Sequence, residues 1–194
     1  APYSYEEQDL LISLEPPSRE HPFGADEFGR DILSRVIHGA RVSLQVGFVA
    51  VGIGMIFGGL LGAVAGFYGK RTDNVIMRTM DILLSIPSTL LAIAIAASLG
   101  PGLFNLMVAV GIASVPRYAR IVRGSVLSIR NQEFIEAAKA VGSSDARIIV
   151  RHVLPNCMAP VIVQATLGVA SAILNTAGLS FIGLGIQPPI PEWG

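Results

Sequence analysis

Apolar and polar positions segregate into long blocks along this chain. No charged residue lies between Arg41 and Lys70, between Asp81 and Arg117, or between His152 and Glu192, and each gap exceeds the roughly 20 residues a helix needs to cross a bilayer. Three gaps supply three or four spans. The first is expected at about Val42 to Phe67. The second, about Asn74 to Leu99, contains Pro87, which removes a backbone donor and kinks the helix. Leu99-Gly100-Pro101-Gly102 is a turn signal, so a third span, about Leu103 to Val122, returns antiparallel to the second. The fourth, about Ala159 to Ile182, is stopped by Gln187-Pro188-Pro189-Ile190-Pro191. Ahead of the first span, Ile32, Leu33, Val36 and Ile37 interleave with Arg30, Ser34, Arg35 and His38, which predicts an amphipathic interfacial helix over Asp31 to Arg41. Residues 1–28 are polar and interrupted by Pro2, Pro16, Pro17 and Pro22, and predict little regular structure.

The apolar blocks enclose a polar island, Arg117 to Asn156. Gln132 to Val141 are good helix formers with Phe134, Ala137, Ala138 and Val141 at i, i+3, i+4 and i+7, one apolar stripe. Such a stripe outside the membrane must be covered, and its two central alanines admit a partner's groove close to the backbone. Gly142 can take the left-handed conformation that ends a helix, and Ser143 or Ser144 can cap the next one, near Asp145. The result is a rigid elbow. Glu136, on the flank of the stripe, either meets a donor on a partner or is a solvated acid.

Two patterns lie inside the spans. Gly54, Gly58, Gly62 and Gly66 recur every fourth residue of the first span and share one face, where a second helix can approach to backbone contact, either as static packing or as a sliding surface. In the last span Gln164, Gly168, Ser171 and Asn175 also share a face. This polar stripe either bonds to neighbouring helices or lines a water-filled route for substrate, with Thr176 beside it. Arg78 and Asp81, three apart, are placed to pair.

Composition agrees with a membrane protein: of 194 residues 52% are hydrophobic and 14% charged, with mean hydropathy +0.60, too little polar surface to coat a soluble globule. Charge then assigns sides. Residues 1–31 hold eight acids against two bases, and residues 32–194 hold six acids against twelve bases. Arg117, Arg120, Arg123, Arg130, Lys139, Arg147 and Arg151 crowd the island, which places it in the cytoplasm and the acidic N-terminal stretch outside. Arg117, Arg120 and Arg123, three apart at a span's end, are expected to face lipid phosphates.

The catalytic inventory is poor. His21, His38 and His152 are scattered, Cys157 is the single cysteine, and Gly178-Leu179-Ser180-Phe181-Ile182 lacks the second glycine of a nucleophile elbow. No GxxxxGK[ST] word is present, so an ATPase function is excluded for this stretch, and no metal site is expected. An enzyme is therefore disfavoured. A passive channel or a membrane scaffold stays open on these residues.

The spacing Glu136-Ala137-Ala138, Gly142, Leu154-Pro155 resembles the cytoplasmic "EAA" loop of bacterial ABC importer permeases. The flanking words His21-Pro22-Phe23-Gly24, Gly29-Arg30-Asp31, Gly39-Ala40-Arg41, Arg151-His152-Val153-Leu154-Pro155-Asn156 and Leu179-Ser180-Phe181 resemble the C-type permease of the dipeptide, oligopeptide and nickel family. The resemblance implies an all-α polytopic membrane helical bundle of the MetI-like ABC permease type. It implies a single transmembrane permease domain over 1–194, trimmed of one flanking span at each end, with 1–31 extracytoplasmic and 117–156 forming the cytoplasmic coupling loop. It further implies multi-pass residence in the bacterial inner membrane and import of peptides, with nickel complexes or glutathione as alternatives. Phe134, Glu136, Ala137, Ala138, Val141, Gly142, Leu154 and Pro155 would couple to the ATPase, and Gln164, Ser171, Asn175 and Thr176 would line the pathway. Many members of the family carry an acid where Thr176 stands. The implied partners are a B-type permease forming a heterodimer, two ABC ATPase subunits, an extracytoplasmic solute-binding protein that meets Glu15 to Asp31 and Gln187 to Trp193, and membrane lipid, with no nucleic acid. No cofactor is expected on this chain, ATP and Mg²⁺ being used by partner subunits.

Overall fold

The first long helix begins where Asp31 offers its carboxylate to the free amide of Ser34 at 2.7 Å, a side-chain N-cap. In the computed structural model, which describes residues 1–193, helix α1 runs unbroken over Ile32–Tyr68. The predicted interfacial helix and first span are thus one element, because nothing between Asp31 and Gly69 breaks the backbone ladder. At 1.5 Å per residue its 37 residues reach about 55 Å, well past a roughly 30 Å hydrocarbon core. Residues 1–31 wrap its N-terminal end without regular structure beyond one short turn at Leu10–Ile12. They are held by Asp26, which accepts the amides of Phe28 and Arg30 and pairs with the Arg30 guanidinium at 2.7 Å.

Helices α2 (Lys70–Leu84) and α3 (Ser88–Leu99) replace the predicted kinked span with a bend of 88°. Pro87 has no amide to continue the ladder and bars Ile86 from helical geometry, while the Ser85 hydroxyl bonds back to the Ile82 carbonyl at 2.7 Å and closes α2. Helix α4 (Leu103–Ile129) extends seven residues beyond the predicted end at Val122, so Arg117, Arg120 and Arg123 stand on the helix, not past it, with Pro116 inside. The island then folds as α5 (Glu133–Ala140) and α6 (Asp145–Ile148), a π-helical stretch Ile149–Val153, and α7 (Leu154–Asn156). Pro155 cannot donate to the residue four before it, and the wider π turn ahead of it absorbs that missing bond.

Helix α8 (Met158–Phe181) matches the predicted last span. Its stop is not the proline run. Gly183, at φ 80°, donates to the Ser180 carbonyl and Leu184 donates to Leu179, the paired bonds of a glycine C-cap. Among the described residues no strand forms beyond one isolated bridge between Ala25 and Asp31. Two helices, α1 and α8, are long and apolar enough to cross a membrane, and the bent pair α2–α3 makes a third if taken together. Helix α4 is the least apolar of the long helices because Arg117, Arg120 and Arg123 all fall within it. Gly194, the last residue of the expected domain, lies outside the described residues.

The core is the seam between α1 and α4. All four glycines of the stripe face α4: a Cβ at Gly58 or Gly62 would land on the carbonyl oxygens of Val115 or Ala119, one at Gly54 on Ser114, and one at Gly66 within 2.8 Å of Val126. Backbone-to-backbone approach of this kind is available only to glycine. Tyr118, almost wholly buried, lies across Gly54 and Gly58 and donates its hydroxyl to the Gln164 carbonyl of α8 at 3.4 Å.

Candidate functional site

Two regions gather the candidate residues: the elbow between α5 and α6, and a cavity between α2, α3, α4 and α8. In the elbow Gly142 adopts φ 76°, donates to the Lys139 carbonyl, and is followed by Ser143 donating to Ala138. This pair of bonds satisfies the last carbonyls of α5 and fixes the turn. Ser144 occupies the cap position of α6, yet its hydroxyl makes no capping bond.

The predicted stripe divides between two faces. Ala138 turns inward beside Ile135, and both pack with Val126, Ile148, Ile149, Val153 and Cys157. Phe134, Ala137 and Val141 remain on the outer face, Val141 at 81% exposure. Ala138 therefore secures α5 to its own chain and does not contribute to an open docking face. Ile135, fully buried, does the job the stripe assigned to its neighbours. Glu136 is exposed beside that outer face, as is Pro155, while Leu154 is half-buried.

Several contacts tie α4 and the elbow to α1 and α2. Arg130 donates to the Gly66 carbonyl at 3.2 Å, and the Lys139 ammonium lies 5.4 Å from the centre of the Phe67 ring. Arg123 grips Asp73 of α2 with two donors, the second at 2.6 Å, and Arg120 reaches Asp81 at 2.7 Å. These pairs correct two expectations. Asp81 is taken by Arg120 rather than by Arg78, and Arg120 and Arg123 lock α4 to α2 instead of facing lipid phosphates. A local pair loses here to one that joins two helices.

The cavity, of about 450 Å³, is walled on one side by the polar stripe of α8, with Gln164, Gly168, Ser171 and Asn175 all on its lining. Thr176 is not on that wall: it is buried and donates to the Ala172 carbonyl at 2.8 Å. The opposite wall brings in Ser88 beside the Pro87 bend, and Ser114 and Arg117 on either side of Pro116. Ser88, Ser114 and Pro116 are not evident as site residues from the sequence, where prolines within two apolar blocks are their only signal. Near the N-terminal end of α1, Trp193 folds back on that helix, its indole donating to the Val36 carbonyl and its amide to the Ser43 hydroxyl, each at 3.0 Å. Burial pushes the Glu192 carboxyl above its ordinary range, against a bond from Ser180. Among the described residues no cluster of His, Cys, Asp and Glu is placed to hold a metal ion.

The model of the family described as "Binding-protein-dependent transport system inner membrane component" matches residues 58–194. The chain is 56% identical over 191 residues to a dipeptide transport system permease protein of Alkalihalophilus pseudofirmus, covering 98% of this chain and 63% of the relative. It is 50% identical over 200 residues to a di/tripeptide transport system permease protein of Pseudomonas aeruginosa, with 100% and 66% covered. Identity is 49% over 178 residues with a glutathione transport system permease protein of Escherichia coli, with 92% and 59% covered. The chain thus spans about two thirds of the length of these relatives or a little less. Its fold is that of the MetNI methionine ABC transporter in inward-facing conformations, with TM-score 0.65 at 22% identity over 77% of this chain and 74% of that one. An amino acid ABC transporter solved with histidines gives TM-score 0.59 at 20% identity, over 78% and 73%.

Proposed function

Because the chain belongs to the family of binding-protein-dependent transport system inner membrane components, we propose that it is the C-type permease subunit of an ATP-driven importer of short peptides in the bacterial inner membrane. The observation that carries the coupling part of this reading is the glycine-capped elbow, which presents Phe134, Ala137 and Val141 uncovered beside Glu136. An exposed apolar face on a short, rigidly fastened helix suits a groove on a separate ATPase subunit. Residues 117–156 then lie in the cytoplasm, and a B-type permease closes the pathway from the other side. The acidic segment 1–31 and the folded-back stretch at Trp193 face the extracytoplasmic binding protein. The chain performs no covalent chemistry, and ATP and Mg²⁺ are bound by the ATPase pair. Closure of that pair pushes the elbow and switches the pathway between inward-open and outward-open, and hydrolysis resets it.

Peptides are favoured over other cargo because the relatives named for dipeptides and di/tripeptides cover nearly all of this chain. Glutathione, itself a modified tripeptide, is a second reading supported by a relative of comparable identity. The test is ATP hydrolysis by the full-length reconstituted complex, with and without binding protein, against a panel of dipeptides, tripeptides and glutathione. Glu136→Lys and Gly142→Pro should assemble yet lose the response to loaded binding protein. Wild-type response in both variants would remove the elbow from the coupling path, and the panel names the cargo.

A further inference from the structure

Three arginines stand three residues apart on α4, and α2 supplies only two acids to meet them. Arg123 is taken by Asp73 and Arg120 by Asp81. One turn further along, α2 has reached its end at Leu84 and offers Leu83, Leu84 and, past the bend, Ser88. Arg117 therefore has no carboxylate within ion-pair distance among the described residues, and it lines the cavity. The rest of that wall is apolar or neutral and polar: Ser88, Ser114, Gln164, Ser171 and Asn175. Arg117 is exposed at the cavity lining, so its guanidinium stays charged and open to an anion that enters the space. Several neutral donors and acceptors beside one unpaired cation suit a small carboxylate with amide groups.

We infer that the cavity between α2, α3, α4 and α8 is a transient substrate site in which Arg117 holds the C-terminal carboxylate of the peptide, while Gln164, Ser171 and Asn175 meet its amide groups. The inference rests on the importer reading, and it adds a residue that sets which peptides pass once the binding protein has released them. Pro116 contributes to the geometry. It removes one backbone donor just ahead of Arg117 and leaves the Ile112 carbonyl without its helical partner. The cation thus sits where the helix is already interrupted.

The experiment has two arms, both on the full-length complex in lipid nanodiscs. The first measures direct peptide binding without binding protein, by saturation-transfer NMR, using a dipeptide with a free C-terminus and its C-terminal amide. Wild type should bind the free acid at least about tenfold better than the amide, Arg117→Gln should abolish that preference, and Arg117→Lys should keep most of it. The second arm measures dipeptide uptake and ATP hydrolysis together in proteoliposomes. Arg117→Gln should lower uptake about tenfold while hydrolysis stimulated by loaded binding protein stays within about twofold. Equal binding of acid and amide by wild type overturns the inference and assigns Arg117 to a lipid headgroup or to the second permease. Parallel loss of uptake and hydrolysis in Arg117→Gln also overturns it, since that outcome is a coupling defect. Absence of any stimulated hydrolysis in wild type strikes the importer reading itself, and the binding arm still decides the carboxylate site.

Discussion

Adding one methyl group at Gly58 tests the α1–α4 seam most directly. A Cβ there falls on the Val115 carbonyl oxygen, 2.7 Å from the Cβ of Tyr118 and 2.9 Å from the Ala119 amide nitrogen. Two of these three are backbone atoms of a helix, which cannot swing aside as a side chain can. Gly52 lies on the same helix less than two turns away, and a Cβ there meets nothing within 4 Å. Gly→Ala in a helix gains about 1 kcal/mol of propensity at both sites. The difference between Gly58→Ala and Gly52→Ala cancels that gain and isolates the overpacking cost, about 1–3 kcal/mol. At roughly 2–4 °C per kcal/mol for a chain of this size, Gly58→Ala should melt several degrees below Gly52→Ala. Thermal unfolding of the full-length complex in one detergent, followed by tryptophan fluorescence, supplies the comparison. Equal melting temperatures would mean that α1 and α4 do not touch at Gly58, and the backbone contact described above would be wrong.

The two ion pairs on α4 should separate by burial. Arg123 and Asp73 are 31% and 15% exposed and joined by two bonds, so Asp73→Asn should cost about 1.5–3 kcal/mol in the same melting assay. Arg120 and Asp81, at 58% and 50% exposure, should lose under about 1 kcal/mol in Asp81→Asn, and equal losses would contradict the assigned pairing. At the outer end, burial pushes the Asp31 carboxyl up, but the Ser34 hydroxyl and amide and the His21 ring outweigh it, and the net shift is downward. A carboxyl lower in the folded state than in the unfolded chain stabilises fully above the ordinary range and loses that stabilisation as pH falls through the folded value. Hydrogen exchange of residues 9–31, corrected for intrinsic rates, should therefore stay slow down to about pH 4 and accelerate below it. Asp31→Asn should flatten that profile, and an acid opening unchanged in the variant would assign it to other groups.

The chain announced some of these features and concealed others, for physical reasons that differ by residue. Gly142 and the stripe from Gly54 to Gly66 were legible because a missing side chain has few uses in a helix: each position ended a helix or met another helix closely. The polar stripe of α8 was legible as a face, but nothing local distinguished bonding from lining, and the cavity walls on α3 and α4 lie some 50 to 90 residues earlier in sequence. The division of the α5 stripe was hidden for a different reason. Phe134, Ile135, Ala137, Ala138 and Ala140 are five of the eight residues of α5, with Val141 just past its end, so periodicity names a helix without naming its inward face. Ile135 wins that position because Val126, Ile148 and Val153 close around it. Pairing of Asp73 with Arg123 spans 50 residues. Only the bend at Pro87, which proline signals without an angle, and the antiparallel return through α4 bring the two together.

These packing relations also explain how an event at the elbow can be felt in the cavity. Helix α4 carries both ends: Val126 and Ile129 sit in the cluster that holds Ile135 and Ala138, while Ser114 and Arg117 line the cavity. From Val126 to Ser114 is twelve residues, about 18 Å of continuous helix. Along that length α4 is held to α1 by three successive glycine contacts at Gly58, Gly62 and Gly66 and to α2 by the Asp73 and Asp81 pairs. Close-packed backbones do not compress, so α1, α4 and the adjoining turns of α2 move together when α5 is displaced. Helix α8 packs through fewer such contacts: a Cβ at Gly47 of α1 would come within 2.9 Å of Val169, and one at Gly168 of α8 within 2.6 Å of the Tyr118 hydroxyl. Toward α4 it offers the long 3.4 Å bond from Tyr118 to the Gln164 carbonyl, and the stripe it turns to the cavity is polar on otherwise apolar surroundings. Gln164, Ser171 and Asn175 stand on α8, whereas Arg117 stands on α4. In the proposed transport cycle a push on the elbow would change the separation between these groups and Arg117, as capture and release of a carboxylate there would require.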